Sequence, residues 1–333
     1  MRIRLLLVMA VLLTGCASAR QPEVSTIAFG SCLRQDKPAP IFDAINARKP
    51  DVFVFIGDNV YADTEDRARF EEVYAQKAAL PGFQTLEAHS LILATWDDHD
   101  FGKNDAGVEY PQKQLAKQIM LDFYDEPAQS DRRRRDGVQT SYVFGPAGRR
   151  VQVILLDTRW FRSPLELDPT EQRRRYKPTA DTSTTILGPA QWAWLEEELR
   201  QPADLRIIAS SIQVIPNQHK FELWGNFPHE RERLLDLALA HGPTVIISGD
   251  RHFAEMSRLD RDGTTVWDVT SSSLNSSSQG NRNEPNPYRV GPFVGVDNFG
   301  MIEIDWTSRK VTLLLVDGSN TPVHAESFSI PGP

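Results

Sequence analysis

Short apolar runs rich in β-branched and aromatic residues recur along the chain, at Val24 to Phe29, Val52 to Ile56, Leu91 to Thr95, Val151 to Leu156, Ile207 to Ala209 and Val245 to Ile247. Most run without polar alternation, the pattern of strands covered on both faces. Helical candidates lie between them, over Pro40 to Ala47, Glu65 to Ala79, Gln112 to Tyr124, Gly188 to Arg200 and His229 to His241. Pro189 and Pro228 suit helix first turns, where a missing N–H costs nothing. Beyond Asp250 the pattern changes to short alternating strands near Thr265 to Thr270, Met301 to Trp306, Val311 to Val316 and His324 to Ile330, which predicts antiparallel sheet. Two long segments carry no predicted element: 161–187, polar with three prolines, and 271–299, rich in Ser, Asn, Gly and Pro. Loops of that length in a compact domain are usually functional or disordered. With no internal repeat or heptad pattern, one domain over 24–330 is expected.

The first residues change the picture of where the chain works. Arg2 and Arg4 precede an apolar run from Leu5 to Leu13, too short to span a bilayer, so residues 1–15 read as an export signal. Leu13-Thr14-Gly15-Cys16 resembles a bacterial lipobox, which implies cleavage before Cys16 and attachment of acyl chains to that residue; ordinary cleavage after Ala19 is the alternative. The expected location is the cell envelope, with a lipid tether to the membrane, and Ala17 rather than aspartate after Cys16 favours the periplasmic face of an outer membrane. Loss of Arg2 and Arg4 takes the formal net charge from -8 to about -10. With no long basic tract, sequence-independent nucleic-acid binding is not expected, and the runs Arg132 to Arg135 and Arg173 to Arg175 read as solvated faces. The only other cysteine, Cys32, has no intrachain partner outside the leader, and a chain of this size needs no disulfide staple.

Chemistry collects at the strand exits. The runs lead into Gly30-Ser31-Cys32, Gly57-Asp58-Asn59-Val60-Tyr61, Asp97-Asp98-His99-Asp100 and Gly249-Asp250-Arg251-His252. Open α/β sheets bind ligands beyond the carboxyl ends of their strands, so these four exits are expected to converge. Five acidic residues, two histidines, a phenol and a thiol at one place repel unless cations are present, and a dinuclear metal site relieves the conflict. Thiolate and tyrosinate suit a trivalent ion such as ferric iron, while carboxylates bridge ions. Two such cations favour phosphoester hydrolysis.

On these residues the chain resembles the alkaline phosphatase D (PhoD-like) phosphatases within the calcineurin-like metallophosphoesterases. The resemblance runs from Ile27 to Trp306 and rests on "FGSC", "GDNVY", "TWDDHDFGKND", "IIASSIQVIP…LWGNFPHERERLL", "ISGDRHFAEM" and "DNFGMIEIDW". It implies an α/β four-layer sandwich, two mixed β-sheets packed together with helices outside. It also implies that Cys32, Tyr61 and His252 ligate Fe(3+), that Asp58 bridges the ions, and that Asp98 and Asp250 hold the second ion, Ca(2+). His99 is implied beside the phosphate as the catalytic residue, with in-line attack by a metal-bound hydroxide. The substrate class implied is phosphomonoesters, phosphodiesters or both, and no protein partner is evident.

Several neighbours have open roles. Ser211 or Gln213 fills the place of a histidine ligand common in the superfamily, and Asp97, Asp100 and Asn104 share the Asp98 loop. Trp160, Trp224 and Phe227 read as core rather than groove floor, and His89, His219, His229, His241 and His324 as structural. A lipid-anchored binding protein that captures phosphorylated ligands without turnover is the rival, disfavoured by the retention of His99. A serine hydrolase lacks its Gly-x-Ser-x-Gly.

Overall fold

The computed structural model describes residues 22–171 and 175–332. The leader, Cys16, Arg173 and Arg174 lie outside the described residues. Among those described, thirteen strands form: β1 (Thr26–Gly30), β2 (Val52–Ile56), β3 (Leu91–Thr95), β4 (Thr140–Phe144), β5 (Val151–Leu155), β6 (Leu205–Ser210), β7 (Thr244–Ser248), β8 (Ala254–Arg261), β9 (Thr264–Ser271), β10 (Arg289–Val294), β11 (Asn298–Asp305), β12 (Lys310–Asp317) and β13 (Pro322–Ser329). They make two mixed sheets, ordered β13-β12-β11-β1-β2-β3 and β10-β8-β9-β7-β6-β5-β4.

Side-chain alternation on buried strands builds the layers. Ile27, Phe29, Val54 and Ile56 of the first sheet face Val153, Leu155, Ile207 and Val245 of the second in one apolar core. The next residues along, Ala28, Phe53 and Phe55, face away and pack under the helices Ile41–Arg48, Arg67–Ala78, Pro81–His89 and Lys113–Phe123. On the far side Ile154, Ile208 and Ile246 bury against the helices Gly188–Leu199 and Pro228–Ala240. Strands burying both faces give continuous apolar runs, and each such side chain contributes roughly 1.5–3 kcal/mol. The expected helix–sheet–sheet–helix order is what forms.

Some elements differ from the sequence expectation. A helix over Pro81–His89, opened by Pro81 and burying Phe83 and Leu86, is not among the expected elements. β4, β8 and β10 are not legible as strands because most side chains of β4 and β10 are part-exposed and β8 interrupts its apolar residues with Glu255 and Ser257. Residues 271–299 therefore contain a strand, and the chain end is not purely antiparallel, since β9 pairs parallel to β7. The Arg132 to Arg135 run is not a uniformly solvated face. Arg132 is buried, donating to the carbonyls of Val138 and Ala94 at 2.6 Å each, with Glu126 at 3.4 Å.

Candidate metal centre

Parallel strands deliver their carboxyl ends to one side, and the two sheets meet there. Thr95 Oγ1 donates to the Leu156 carbonyl at 2.7 Å and Trp96 Nε1 to Asp157 at 2.8 Å, tying the β3 exit to the β5 exit. The approach is close enough to require glycine. At Gly57, whose φ is +102°, a Cβ would lie 2.5 Å from Asp97 Cβ; at Gly249 it would lie 2.6 Å from Ser31 Oγ. Beyond these glycines the chain turns abruptly. Cys32, Asp58, Asp250 and His252 have φ of 57°, 47°, 70° and 58°, a left-handed conformation costing roughly 1–2 kcal/mol per residue. Four of the seven expected site residues thus share a strained backbone that aims their side chains inward.

The donors converge in overlapping groups. Cys32, Asp58 and His252 each offer an atom within 4.8 Å of the others, as do Asp58, Asp98 and His99, and Asp97, Asp98 and Asp250. Asp58 is common to the first two groups and Asp98 to the last two. Cys32 Sγ lies 3.4 Å from Asp58 Oδ2, to which the Tyr61 hydroxyl donates at 3.2 Å. His252 Nδ1 faces the Ser276 carbonyl at 2.7 Å, which leaves Nε2 for a ligand role.

The electrostatics fit cations. Burial, and then the charge of Asp58, push the Cys32 thiol up. Burial, followed by Cys32 and Asp58, does the same to the Tyr61 phenol. Burial raises Asp58 against the pull of His99, and raises Asp250 against that of Arg251. Asp58 Oδ1 is buried with no hydrogen bond. Donors this crowded become anions only beside positive charge, so the residues suit a two-cation centre. Asp98 behaves differently: burial opposes its charge, but His99, Arg159 and the Asp105 amide, at 2.6 Å, hold it at about 2.

The neighbours with open roles are now placed. Asp97 Oδ1 accepts from Arg159 Nε and from Ser211 Oγ, each at 2.6 Å, and Arg159 also pairs with Glu222 at 2.7 Å. Asp100 closes a capping box with Asp97 and accepts from Asn59, away from the donor groups. Gln213 bonds Glu255 and Thr270, with His219 on its other end at 3.0 Å. Asn104 lines a cavity of about 300 Å³ that opens onto Asp98, His99, Asp250 and His252. Trp160, Trp224 and Phe227 belong to the buried cores.

Sequence reasoning missed Asp63, Arg159 and the serine segment. Asp63 holds His99 Nδ1 at 2.8 Å. Arg159 leaves the end of β5, a strand exit like the four recognised, and so was open to the same reasoning. Ser272 Oγ accepts from the His252 amide at 2.9 Å and lies 3.1 Å from Cys32 Sγ, while Ser276 Oγ donates to the Cys32 carbonyl at 2.7 Å. The serine-rich stretch thereby clamps the Cys32 and His252 turns together.

Two mixed sheets enclosing a core, with clustered metal-type donors at their shared carboxyl edge, define a metallophosphoesterase fold. Residues 27–315 match the PhoD-like phosphatase family, and the chain belongs to it. A structure of PhoD superposes with a TM-score of 0.73 at 17% identity, covering 94% of this chain and 70% of that one. A dimetal phosphatase from Danio rerio gives 0.58 at 12% identity, covering 93% and 100%. GAP50, the anchor in the inner membrane complex of Plasmodium, gives 0.61 at 14% identity, covering 93% and 90%. No curated protein sequence matches the chain significantly.

Proposed function

We propose that this PhoD-like phosphatase hydrolyses phosphomonoesters, phosphodiesters or both at a centre of two cations. The observation that carries the reading is the chain of shared carboxylates, Asp58 lying with both Cys32 and His252 and with Asp98, and Asp98 in turn with Asp250. In this assignment Cys32, Tyr61 and His252 hold Fe(3+), Asp98 and Asp250 hold Ca(2+), and Asp58 bridges. Thiolate and phenolate donors suit the trivalent ion, and an all-oxygen set suits calcium. When bound, the cations supply an activated water and neutralise charge on the phosphoryl oxygens.

The chain's own residues do the rest. His99 keeps its Nδ1 proton on Asp63, which fixes the ring and leaves Nε2–H to protonate the leaving oxygen. Arg159, fully buried, neutralises Asp97 and Glu222 and so keeps Asp97 beside the donor groups. A pure binding role has no use for a protonated imidazole oriented by its own carboxylate. We further assign the protein to the cell envelope, tethered through acylated Cys16, on the strength of the leader; among the described residues no helix is long and apolar enough to cross a membrane. Metal analysis of purified protein, paired with hydrolysis of 4-nitrophenyl phosphate and bis(4-nitrophenyl) phosphate, tests the catalytic reading. Protein with two metals per chain and turnover of at least one ester is expected; metal-replete protein inert toward both would remove it.

A further inference from the structure

Arg251 stands between two candidate ligands, Asp250 and His252, and lines the cavity they border. Only 3% of its surface is exposed. Its guanidinium is held in place: Nη2 donates to Glu284 at 2.6 Å, and the group lies 4.2 Å from the centre of the Phe221 ring and 5.6 Å from that of Phe253. The backbone is pinned too, with the Arg251 amide on the Gly249 carbonyl at 3.0 Å and its carbonyl accepting from Asn281 at 3.3 Å. Yet Nη1 makes no hydrogen bond among the described residues. It lies 3.9 Å from Asp250 Oδ2, beyond hydrogen-bond range.

An arginine that served only to pin its loop would be complete with Glu284 and the ring stack. Nε is buried with no hydrogen bond among the described residues, and Nη1 is a fixed N–H donor beside the proposed second cation. The Arg175 guanidinium lies 3.9 Å from the same Phe221 ring, so this wall of the cavity carries two positive groups. The opposite tendency comes from Asp98, Asp105, Glu222 and Asp250, which line the same space. An anion enters there only once cations balance those carboxylates, so the inference rests on the dinuclear reading. We propose that Arg251 Nη1 donates to a non-bridging oxygen of the bound phosphoryl group, making Arg251 a substrate-binding residue beyond the metal and histidine set. A planar guanidinium already locked by stacking loses little freedom in forming that bond, and charge-assisted bonds to phosphate are the strong ones.

Inorganic phosphate is the probe, as competitive inhibitor of 4-nitrophenyl phosphate hydrolysis and by calorimetry on metal-loaded protein. Arg251→Gln and Arg251→Met, the latter keeping an apolar stem against Phe221, are expected to retain both metals and to bind phosphate at least tenfold more weakly. Either variant, metal-replete and binding phosphate within twofold of the native protein, overturns the proposal. A crystal structure of native, metal-loaded protein with phosphate decides the matter without a variant. A phosphate oxygen within about 3.2 Å of Nη1 is expected, and a metal-bound phosphate that does not touch Arg251 overturns the assignment. Failure of the underlying reading looks different, since native protein would then neither load two metals nor turn over an ester.

Discussion

His99 Nδ1 lies 2.8 Å from each carboxylate oxygen of Asp63, and the His99 ring lies 4.2 Å from that of Tyr61. Burial alone favours the neutral imidazole, but the charges of Asp98 and Asp58 and the bond to Asp63 push its pKa up to about 11. Cations on Asp58 and Asp98 offset those two charges, which leaves Asp63 to keep the ring protonated. The acid form donates, so turnover falls as pH rises through the His99 pKa. Asp63→Asn lowers that pKa and moves the alkaline limb of the kcat profile to lower pH. Phosphate release from an alkyl phosphoester, whose leaving group needs a proton, measures it, and an unmoved limb would rule out the dyad. His99→Asn should cut the same rate by about a hundredfold or more with both metals retained.

Asp58→Asn is expected to lower metal content and abolish turnover together. One carboxylate then serves both ions, and the amide cannot bridge them. Metal analysis alongside the ester assays reads both effects. Near-normal turnover with both metals present would refute the shared ligand.

Cys32→Ser should bleach or shift a visible sulfur-to-iron charge-transfer band and weaken iron retention. Ser272→Ala acts more gently through the 3.1 Å contact to Cys32 Sγ. Loss of a hydrogen bond to the thiolate raises the donor level, so the band moves to longer wavelength while iron remains bound. Absorption spectra of the two variants beside the native protein check this. A colourless, iron-free native enzyme of full activity would show that Cys32 is no ligand.

Arg159→Met leaves Asp97 buried without its cation, while Glu222 keeps Arg162 at 2.9 Å. Removing one partner of a buried ion pair costs about 3–5 kcal/mol. Denaturant unfolding should show the midpoint fall accordingly, with Arg159→Lys recovering part of it. A midpoint unchanged in the methionine protein would mean that the Asp97 carboxyl is already neutral.

Cys16→Ala should abolish lipid labelling and release the protein from membranes in soluble form. Fractionation with labelled fatty acid measures both. Persistent membrane association would count against the acyl tether.

The sequence by itself determined the strands buried on both faces. β2 is legible to the residue at Val52–Ile56, because double coverage forces an unbroken apolar run, and β3 at Leu91–Thr95 keeps such a run although it edges its sheet with Leu91 exposed. It also determined the donor types at the strand exits. Tertiary structure decided the edge strands β4 and β10, whose half-exposed faces leave a weak pattern, and it buried Arg132 out of a run of four arginines. It decided, too, which aspartates are available. Asp58, Asp97, Asp98 and Asp100 are chemically alike in sequence. Only the fold brings Arg159 and Ser211 onto Asp97 Oδ1, and Asn59 onto Asp100, while leaving Asp58 Oδ1 and Asp97 Oδ2 with no hydrogen bond among the described residues. A carboxylate's role depends on which distant side chains have already claimed its oxygens, and that is settled by packing across the two sheets, not by its neighbours along the chain.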